Sequence, residues 1–311
     1  MDDRRPLVPV IVGPTAVGKT AVVLALAAHW PVTAISADSR QIYRGLDIGT
    51  AKPTAEERQA VPHLGIDLVE PGQRYSAGRF AAEAAGWLSD IPPSRQPVVV
   101  GGTGFYVRAL ADGLFREPPL PAERRERLRG WSREADGLGR WAARLDPEYS
   151  GGGRQRAARC VEVALLTGRP LSWWQVKAKA EGVMRPWYVR LTAPRAVLNQ
   201  RIEERVQRML DEGLVAEVRG VLDRGAAPDA AGLDGVGYRE VVRHLAGELP
   251  EEELAAAIAG STRRYAKRQE TWFRRMERSG TEIHWLEGVD LNQALRIIEN
   301  CGGLTNGREG G

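Results

Sequence analysis

Leu7-Val8-Pro9-Val10-Ile11-Val12 is the first patterned stretch of the chain. A continuous apolar run of that length predicts a strand buried on both faces. Glycines then break the run, and an Ala-, Val- and Leu-rich segment from about Lys19 to His29 predicts a helix. Val32-Thr33-Ala34-Ile35-Ser36 reads as a second strand, running out into Ala37-Asp38-Ser39. A third lies in "QPVVVGGTG", bounded by Pro97 and Gly101-Gly102, with a helical stretch from roughly Ala77 to Ser89 before it. Strand and helix alternate, which predicts an α/β core built on a parallel sheet with crossover helices.

From about Pro118 the pattern changes. Short helical segments joined by Gly and Pro breaks replace the strands, until "PWYVRLTA", Pro186 to Ala193, returns as a strand. Residues 118–184 are therefore expected to form an all-helical insertion, with residues 1–117 and 185–311 making the core. Helices are predicted at about Arg195 to Gly220, Tyr238 to Leu245 and Glu251 to Arg278, and a last strand in "TEIHWLE". The terminal "CGGLTNGREGG" is expected to fray.

Composition places this pattern among ordinary globular proteins: 43% hydrophobic and 27% charged over 311 residues. Cys160 and Cys301 are the only cysteines, too few for a disulfide framework or zinc cluster, and a reducing cytoplasm is the expected compartment. Met1-Asp2-Asp3-Arg4-Arg5 carries no signal-peptide core, and no apolar run approaches the roughly 20 residues that span a bilayer. The formal charge is only +4, but it is clustered. Arg116 to Arg159 holds 11 Arg against 7 Asp/Glu, and Thr262 to Arg278 holds 7 Lys/Arg against 2 Glu. Such clusters are either solvated helix faces or footprints for a polyanion.

The chemistry starts at Gly13-Pro14-Thr15-Ala16-Val17-Gly18-Lys19-Thr20, which fits G-x-x-x-x-G-K-[ST] at every fixed position. Backbone N–H groups of such a loop wrap phosphate oxygens, Lys19 supplies a mobile charge, and the Thr20 hydroxyl is placed to hold Mg²⁺. Asp38, at the end of the second strand, is either a base or Mg²⁺ ligand at the ligand-binding sheet edge or an ordinary turn residue. The third strand ends in Gly101-Gly102-Thr103 where nucleotide hydrolases often carry a metal-holding Asp. Arg201, Arg205 and Arg208 share one helix face, either solvated or clamping a diphosphate.

"GPTAVGKT", "ISADSRQIYRGLDIGTAKPT", "VVVGGTGFYVRAL", "LTGRPLS", "RIEERVQRMLDEGLVAEV", "GVGYRE" and "TRRYAKRQETWFRR" stand in this order along the chain. In them the sequence resembles the bacterial tRNA dimethylallyltransferases, the tRNA isopentenyltransferases, from about Val8 to Glu287. The resemblance implies a P-loop core related to nucleotide kinases, with a helical insertion that grips the anticodon stem-loop. It also implies transfer of a dimethylallyl group from dimethylallyl diphosphate to N6 of the adenosine 3′ of the anticodon, in tRNAs reading codons that start with U.

Residue by residue, the resemblance makes Asp38 the general base, Thr103 a hydroxyl near the reacting centre, and Gly13 to Thr20 the diphosphate loop with Lys19. Thr20 would face Mg²⁺ and Arg205 would contact the diphosphate. Asp38, Ser39, Arg40, Gln41, Thr103, Arg125, Gln155, Arg156, Ala157, Ala158, Arg159, Asp234, Gly235, Val236, Gly237, Tyr238 and Arg239 match segments that contact tRNA. The chain departs from the pattern at Ser150-Gly151-Gly152-Gly153, where members often carry a His-Pro-Asn-Asp-like string. Trp131, Trp141, Tyr149, Trp173 and Trp174 are candidates to stack on bases, with most of them expected in the core. A monomer is expected. The rival readings are prenylation of a free adenine nucleotide, a P-loop small-molecule kinase, and a non-catalytic RNA-binding module.

Overall fold

The computed structural model describes residues 3, 5–115, 120–178, 180–288 and 290–300. The chain divides into two compact units, residues 1–111 with 183–311, and residues 112–182. The insertion therefore starts before the expected boundary at 118, which lies outside the described residues, and ends two residues before 184.

In the first unit β1 (Leu7–Val12) leads into α1 (Lys19–Ala27), β2 (Val32–Ser36), α2 (Ala55–Ala60), β3 (His63–Leu64), α3 (Ala77–Asp90), β4 (Gln96–Gly101) and α4 (Gly104–Asp112). The second unit holds α5 (Ala122–Glu134), α6 (Leu138–Leu145), α7 (Arg154–Thr167) and α8 (Leu171–Lys177). The first unit then resumes with β5 (Arg185–Thr192), α9 (Arg195–Asp211), α10 (Leu214–Asp223), α11 (Tyr238–Leu245), α12 (Glu251–Arg278), β6 (Ile283–Glu287) and α13 (Leu291–Glu299).

Six strands form one sheet in the order β3-β2-β4-β1-β5-β6, every pairing parallel. β1 is central, and its Val8, Val10, Ile11 and Val12 are fully buried, as an apolar run covered on both faces requires. The chain leaves β1 toward β2 on one side and later enters β5 on the other. The topological switch point, where open parallel sheets bind ligands beyond their C-terminal edge, thus lies at the end of β1.

The helix expected over Arg195 to Gly220 is in fact two. Gly213 adopts φ 97, a left-handed conformation that stops α9 and lets α10 start in a new direction. α2, the two-residue β3, α4 and α13 have no counterpart in the sequence reading. α2 shows a capping box, with Thr54 Oγ1 accepting from Glu57 N–H (3.2 Å) and Glu57 Oε2 from Thr54 N–H (2.9 Å). The terminal residues 301–311 lie outside the described ones.

The insertion has its own small core of Leu138, Ala142, Ala157, Cys160, Val161, Val163 and Leu171. Beside it the buried Glu162 carboxylate receives Arg125 Nε (2.9 Å), Arg129 Nε (3.2 Å) and Arg159 Nη1 (2.5 Å), drawing α5 onto α7. The Gly151-Gly152-Gly153 turn ends at α7, whose first residue Arg154 donates Nη2 to the carbonyls of Ser132, Arg133 and Ala135 at the end of α5. A cation there meets the negative end of a helix. "LTGRPLS" is a helix–helix turn in which Thr167 Oγ1 accepts from Trp174 Nε1 (2.9 Å) and Ser172 Oγ donates to Asp146 Oδ1 (2.6 Å). Contrary to the expectation that most of these aromatics are core residues, Trp131, Trp141 and Trp173 are exposed. A four-helix unit of this size has too small an interior for so many indoles.

Glu162→Ala removes the carboxylate that three arginines share. Because each is partly exposed, we expect a loss of about 2–3 kcal/mol rather than the larger figure for a fully buried pair. It should be read as a lower urea midpoint and as faster amide exchange confined to α5 and α7. Unchanged exchange there would rule out Glu162 as the tie between these helices.

Candidate active site

The loop after β1 is built to leave donors unpaired. Gly13 sits at φ 152 with Leu191 O at 2.7 Å from where a Cβ would lie, so only glycine lets the loop turn this close to β5. Gly18 (φ 105) then starts α1 with no side-chain cap. Among the described residues the N–H groups of Gly18, Lys19 and Thr20 have no protein acceptor. Orphan donors at a helix N-terminus, with the helix dipole behind them, form an anion site.

Lys19 Nζ rests on the carbonyls of Gly13 (3.1 Å) and Pro14 (2.9 Å). Burial lowers its pKa to about 8; Asp38 opposes that shift and Arg205 adds to it. Arg205 reaches across from α9 to place Nη1 at 3.4 Å from Thr15 Oγ1, and Arg201 Nη1 lies 3.5 Å from Val17 O. Arg201, Arg205 and Arg208 all line one cavity of about 1020 Å³ with Thr15, Lys19 and Thr20. The arginine face of α9 is thus turned to the loop, which favours the clamp over the solvated alternative.

Asp38 lies two residues beyond β2, its Oδ1 accepting from Arg40 N–H at 2.8 Å. That is the local turn contact expected of an ordinary Asp, yet the carboxylate also lines the large cavity. Thr103 Oγ1 accepts from Ser39 N–H (3.1 Å) and lies 3.3 Å from Ser39 Oγ, joining the end of β4 to the Asp38 turn. Gln41 lines the same cavity but is held by the loop around it, receiving Ser36 Oγ (2.7 Å) and donating to Thr50 O and Ala51 O.

A second cavity, of about 260 Å³, is lined by Arg40, Asp234, Val236, Gly237, Tyr238 and Arg239. It shares Thr15, Asp38, Thr50, Arg205, Met209 and Tyr265 with the first. The two families of expected residues, 38–41 and 234–239, do meet here, and Arg40 Nη2 sits 3.8 Å from Asp234 Oδ2. Tyr238 is almost fully buried and serves the scaffold. Its hydroxyl donates to Glu217 Oε1 (2.7 Å), and Glu217 also takes the N–H groups of Asp47 (2.8 Å) and Ile48 (2.9 Å).

Arg125 and Gln155 to Arg159 belong to the other unit. Gln155 and Arg156 are exposed, Arg125 and Arg159 are ion-paired with Glu162, and the Ala157 side chain is buried in the small core of this unit. Tyr265 and Gln269 were not anticipated as site residues. Tyr265 lines both cavities and has its hydroxyl pKa pushed up to about 12 by burial and by Asp38. Their i, i+4 spacing in "TRRYAKRQETWFRR" puts them on one face, a signal hidden by the charge around it.

Fold and site together define a P-loop α/β protein whose phosphate loop opens onto two adjoining cavities. Residues 41–276 match the family model described as IPP transferase, and the chain belongs to that family. It is 41% identical to "tRNA dimethylallyltransferase 1" of Syntrophotalea carbinolica, covering 96% of this chain and 97% of that one. It is 40% identical to the tRNA dimethylallyltransferase of Geobacter metallireducens, over 92% and 94%. Among solved structures it resembles the tRNA isopentenylpyrophosphate transferase of Bacillus halodurans, with a TM-score of 0.69 at 33% identity over 97% of each chain. It also resembles a eukaryotic dimethylallyltransferase acting on tRNA, with a TM-score of 0.78 at 26% identity over 96% and 77%. Among the described residues no helix is long and apolar enough to cross a membrane.

A lysine with a pKa near 8 loses its charge as pH rises through that value, and a bound anion holds the proton on. Binding of inorganic diphosphate at pH 8 should therefore carry a proton uptake at Lys19, added to the ligand's own proton change and visible by calorimetry in buffers of different ionisation enthalpy. Lys19→Arg, charged at every accessible pH, should remove the uptake. Equal uptake in both proteins would detach it from Lys19.

Proposed function

We propose that this protein transfers a dimethylallyl group from dimethylallyl diphosphate to N6 of the adenosine 3′-adjacent to the anticodon, in tRNAs that read codons starting with U, and releases diphosphate. One observation carries the reading: a phosphate-loop cavity and a second cavity adjoin at Asp38, Arg205 and Tyr265. Two substrates entering from different sides would meet at a carboxylate. The relatives' names support tRNA as the acceptor. Neither a kinase nor a free-nucleotide prenyltransferase finds support among them.

In this reading C–O cleavage at C1 of the allylic diphosphate leaves positive charge on carbon and gathers negative charge on the leaving oxygens. The loop N–H groups, Lys19 and Arg205 face that oxygen. Fixed donors aimed where charge develops lower the barrier, and removing one typically raises it by about 2.7–4 kcal/mol. The N6 amine, its lone pair delocalised into the ring, is a weak nucleophile until Asp38 accepts its proton, worth about 10²–10⁴-fold. Thr103 and Tyr265 orient the acceptor side. The target base has to leave the anticodon loop to reach Asp38, which costs a few kcal/mol and least in a single strand.

Mg²⁺ fits this donor set. Thr20 offers an exposed hydroxyl in the cavity beside Lys19, and the described residues contain no group of three His, Cys, Asp or Glu that would cage a metal alone. Such a site suits an ion held chiefly by diphosphate oxygens and water, with Thr20 as the protein ligand. Bound there, it would neutralise part of the leaving group's charge. The insertion, with Arg125, Gln155, Arg156 and Arg159, is the part we assign to the anticodon stem-loop. We place the enzyme in the cytoplasm as a monomer.

The test is transfer of label from radiolabelled dimethylallyl diphosphate, with Mg²⁺, to unmodified tRNA, to AMP or to no acceptor. Label in tRNA is expected; label in AMP alone would overturn the reading. Asp38→Ala should bind tRNA normally and turn over at least about two orders of magnitude more slowly. Turnover like that of the unaltered protein would remove Asp38 as the base.

A further inference from the structure

α12 carries one polar side chain that the chemistry above leaves unused. Gln269 is only 5% exposed, and both ends of its amide are occupied. Oε1 accepts from Thr15 N–H at 2.9 Å, inside the phosphate loop. Nε2 donates to Gly102 O at 3.0 Å, at the end of β4. The partners fix the amide's orientation, because an N–H needs the oxygen and a carbonyl needs the NH₂. The approach is close: a Cβ on Gly102 would stand 2.0 Å from Gln269 Nε2, so a glycine here makes room for the amide.

The contact extends further by a continuous set of bonds. Gly102 precedes Thr103, whose N–H donates to Ala37 O (3.2 Å) and whose hydroxyl accepts from Ser39 N–H (3.1 Å). Ala37 and Ser39 flank Asp38. A single side chain therefore links the loop that would hold the leaving group to the turn that carries the base. These segments are far apart in sequence and, by order in the sheet, extend from neighbouring strands β1 and β4 and from β2 beyond. Strand pairing sets their spacing only up to the strand ends; past them both run as irregular backbone, whose relative position needs a separate tie.

We propose that Gln269 is a positioning residue. It ties the phosphate loop to the Gly102–Thr103 corner and thereby holds the Asp38 turn in register with the departing diphosphate. This extends the prenyl-transfer reading and, for turnover, rests on it. By taking the Thr15 N–H, it also leaves the phosphate to the donors further along, at Gly18, Lys19 and Thr20. An amide suits the task because it donates and accepts at once without carrying charge into an anion site.

Two variants test this. Gln269→Met keeps the volume and loses both bonds. Gln269→Glu keeps an acceptor for Thr15 but turns a second oxygen toward the Gly102 carbonyl, unless the carboxyl is protonated. For Q269M we expect kcat for transfer to tRNA to fall about 10–100-fold, with KM for tRNA unchanged and inorganic diphosphate bound about tenfold more weakly. Q269E should be worse than Q269M at pH 8. As pH falls toward 5.5 it should climb above Q269M toward the unaltered protein, in kcat and in diphosphate affinity. Relief of charge alone would bring Q269E level with Q269M and no further, and that result would overturn the proposal, as would Q269M with unaltered kcat and diphosphate affinity. If the unaltered protein transfers no label to tRNA, the functional reading fails instead. The diphosphate-affinity comparison then decides the role of Gln269 in the loop by the same criteria.

Discussion

Backbone donors left without acceptors are costly, and a fold that keeps several of them together needs rigid surroundings to stop them finding partners of their own. Here that corner is the end of β1. The strand is held on both sides, by β4 and by β5, so the loop emerges from the most constrained position in the sheet. Gly13 turns against the backbone of Leu191, and Lys19 lies back on two loop carbonyls. Arg201 and Arg205 approach from α9, and Gln269 from α12. Elements far apart in sequence thus close around one set of unsatisfied N–H groups. Their positive charges reinforce one another's cost, which is why burial and neighbouring cations depress Lys19 and Arg205 alike while Asp38 pulls the other way. An incoming polyanion relieves the cost of burying these cations together.

The same logic explains what the sequence conveyed. Apolar runs reported the strands well, because a parallel strand covered on both faces has to be apolar whatever its neighbours are. The phosphate loop was legible because its chemistry lies in contiguous residues. The break at Gly213 was missed because α9 and α10 both keep an apolar face, Leu198, Ile202 and Val206 and then Leu214, Val218 and Val221, so periodicity carries through a change of direction. Gln269 and Tyr265 were hidden for another reason. Gln269 bonds Thr15 and Gly102, more than 150 positions away, so the i, i+4 spacing of Tyr265 and Gln269 marks a shared face but not what that face meets.

The long string from Asp38 to Thr54 is informative for a physical reason beyond its chemistry. Nearly every polar residue in it has an assigned partner. Gln41 bridges Ser36 to Thr50 and Ala51. Lys52 is buried with Nζ at 2.6 Å from both Asp47 and Asp67, and Glu217 takes the backbone of Asp47 and Ile48. A loop of this length without regular structure has no ladder to satisfy its backbone, so side chains do it one by one. Such a sequence tolerates little change, and its distinctiveness comes as much from holding the wall of a cavity as from contact with substrate.

The insertion teaches the opposite lesson about counting charges. Its arginine excess is what first pointed to a polyanion, yet Arg125, Arg129 and Arg159 converge on Glu162, Arg154 caps α5, and Arg156 lies over Tyr149. A guanidinium shared with a buried carboxylate offers less field to an approaching phosphate than its formal charge implies. What the helices present instead is a mixed surface, on which Trp131 and Trp141 meet edge to face at 6.4 Å with both indoles exposed. Arginine fixed by Glu162 loses little entropy on meeting a partner, because its rotamer is already set. In the proposed reading, where Arg125 and Arg159 meet RNA, the salt bridges that hold α5 to α7 and the RNA-facing surface would share residues. In that reading, stability and recognition there would not vary independently.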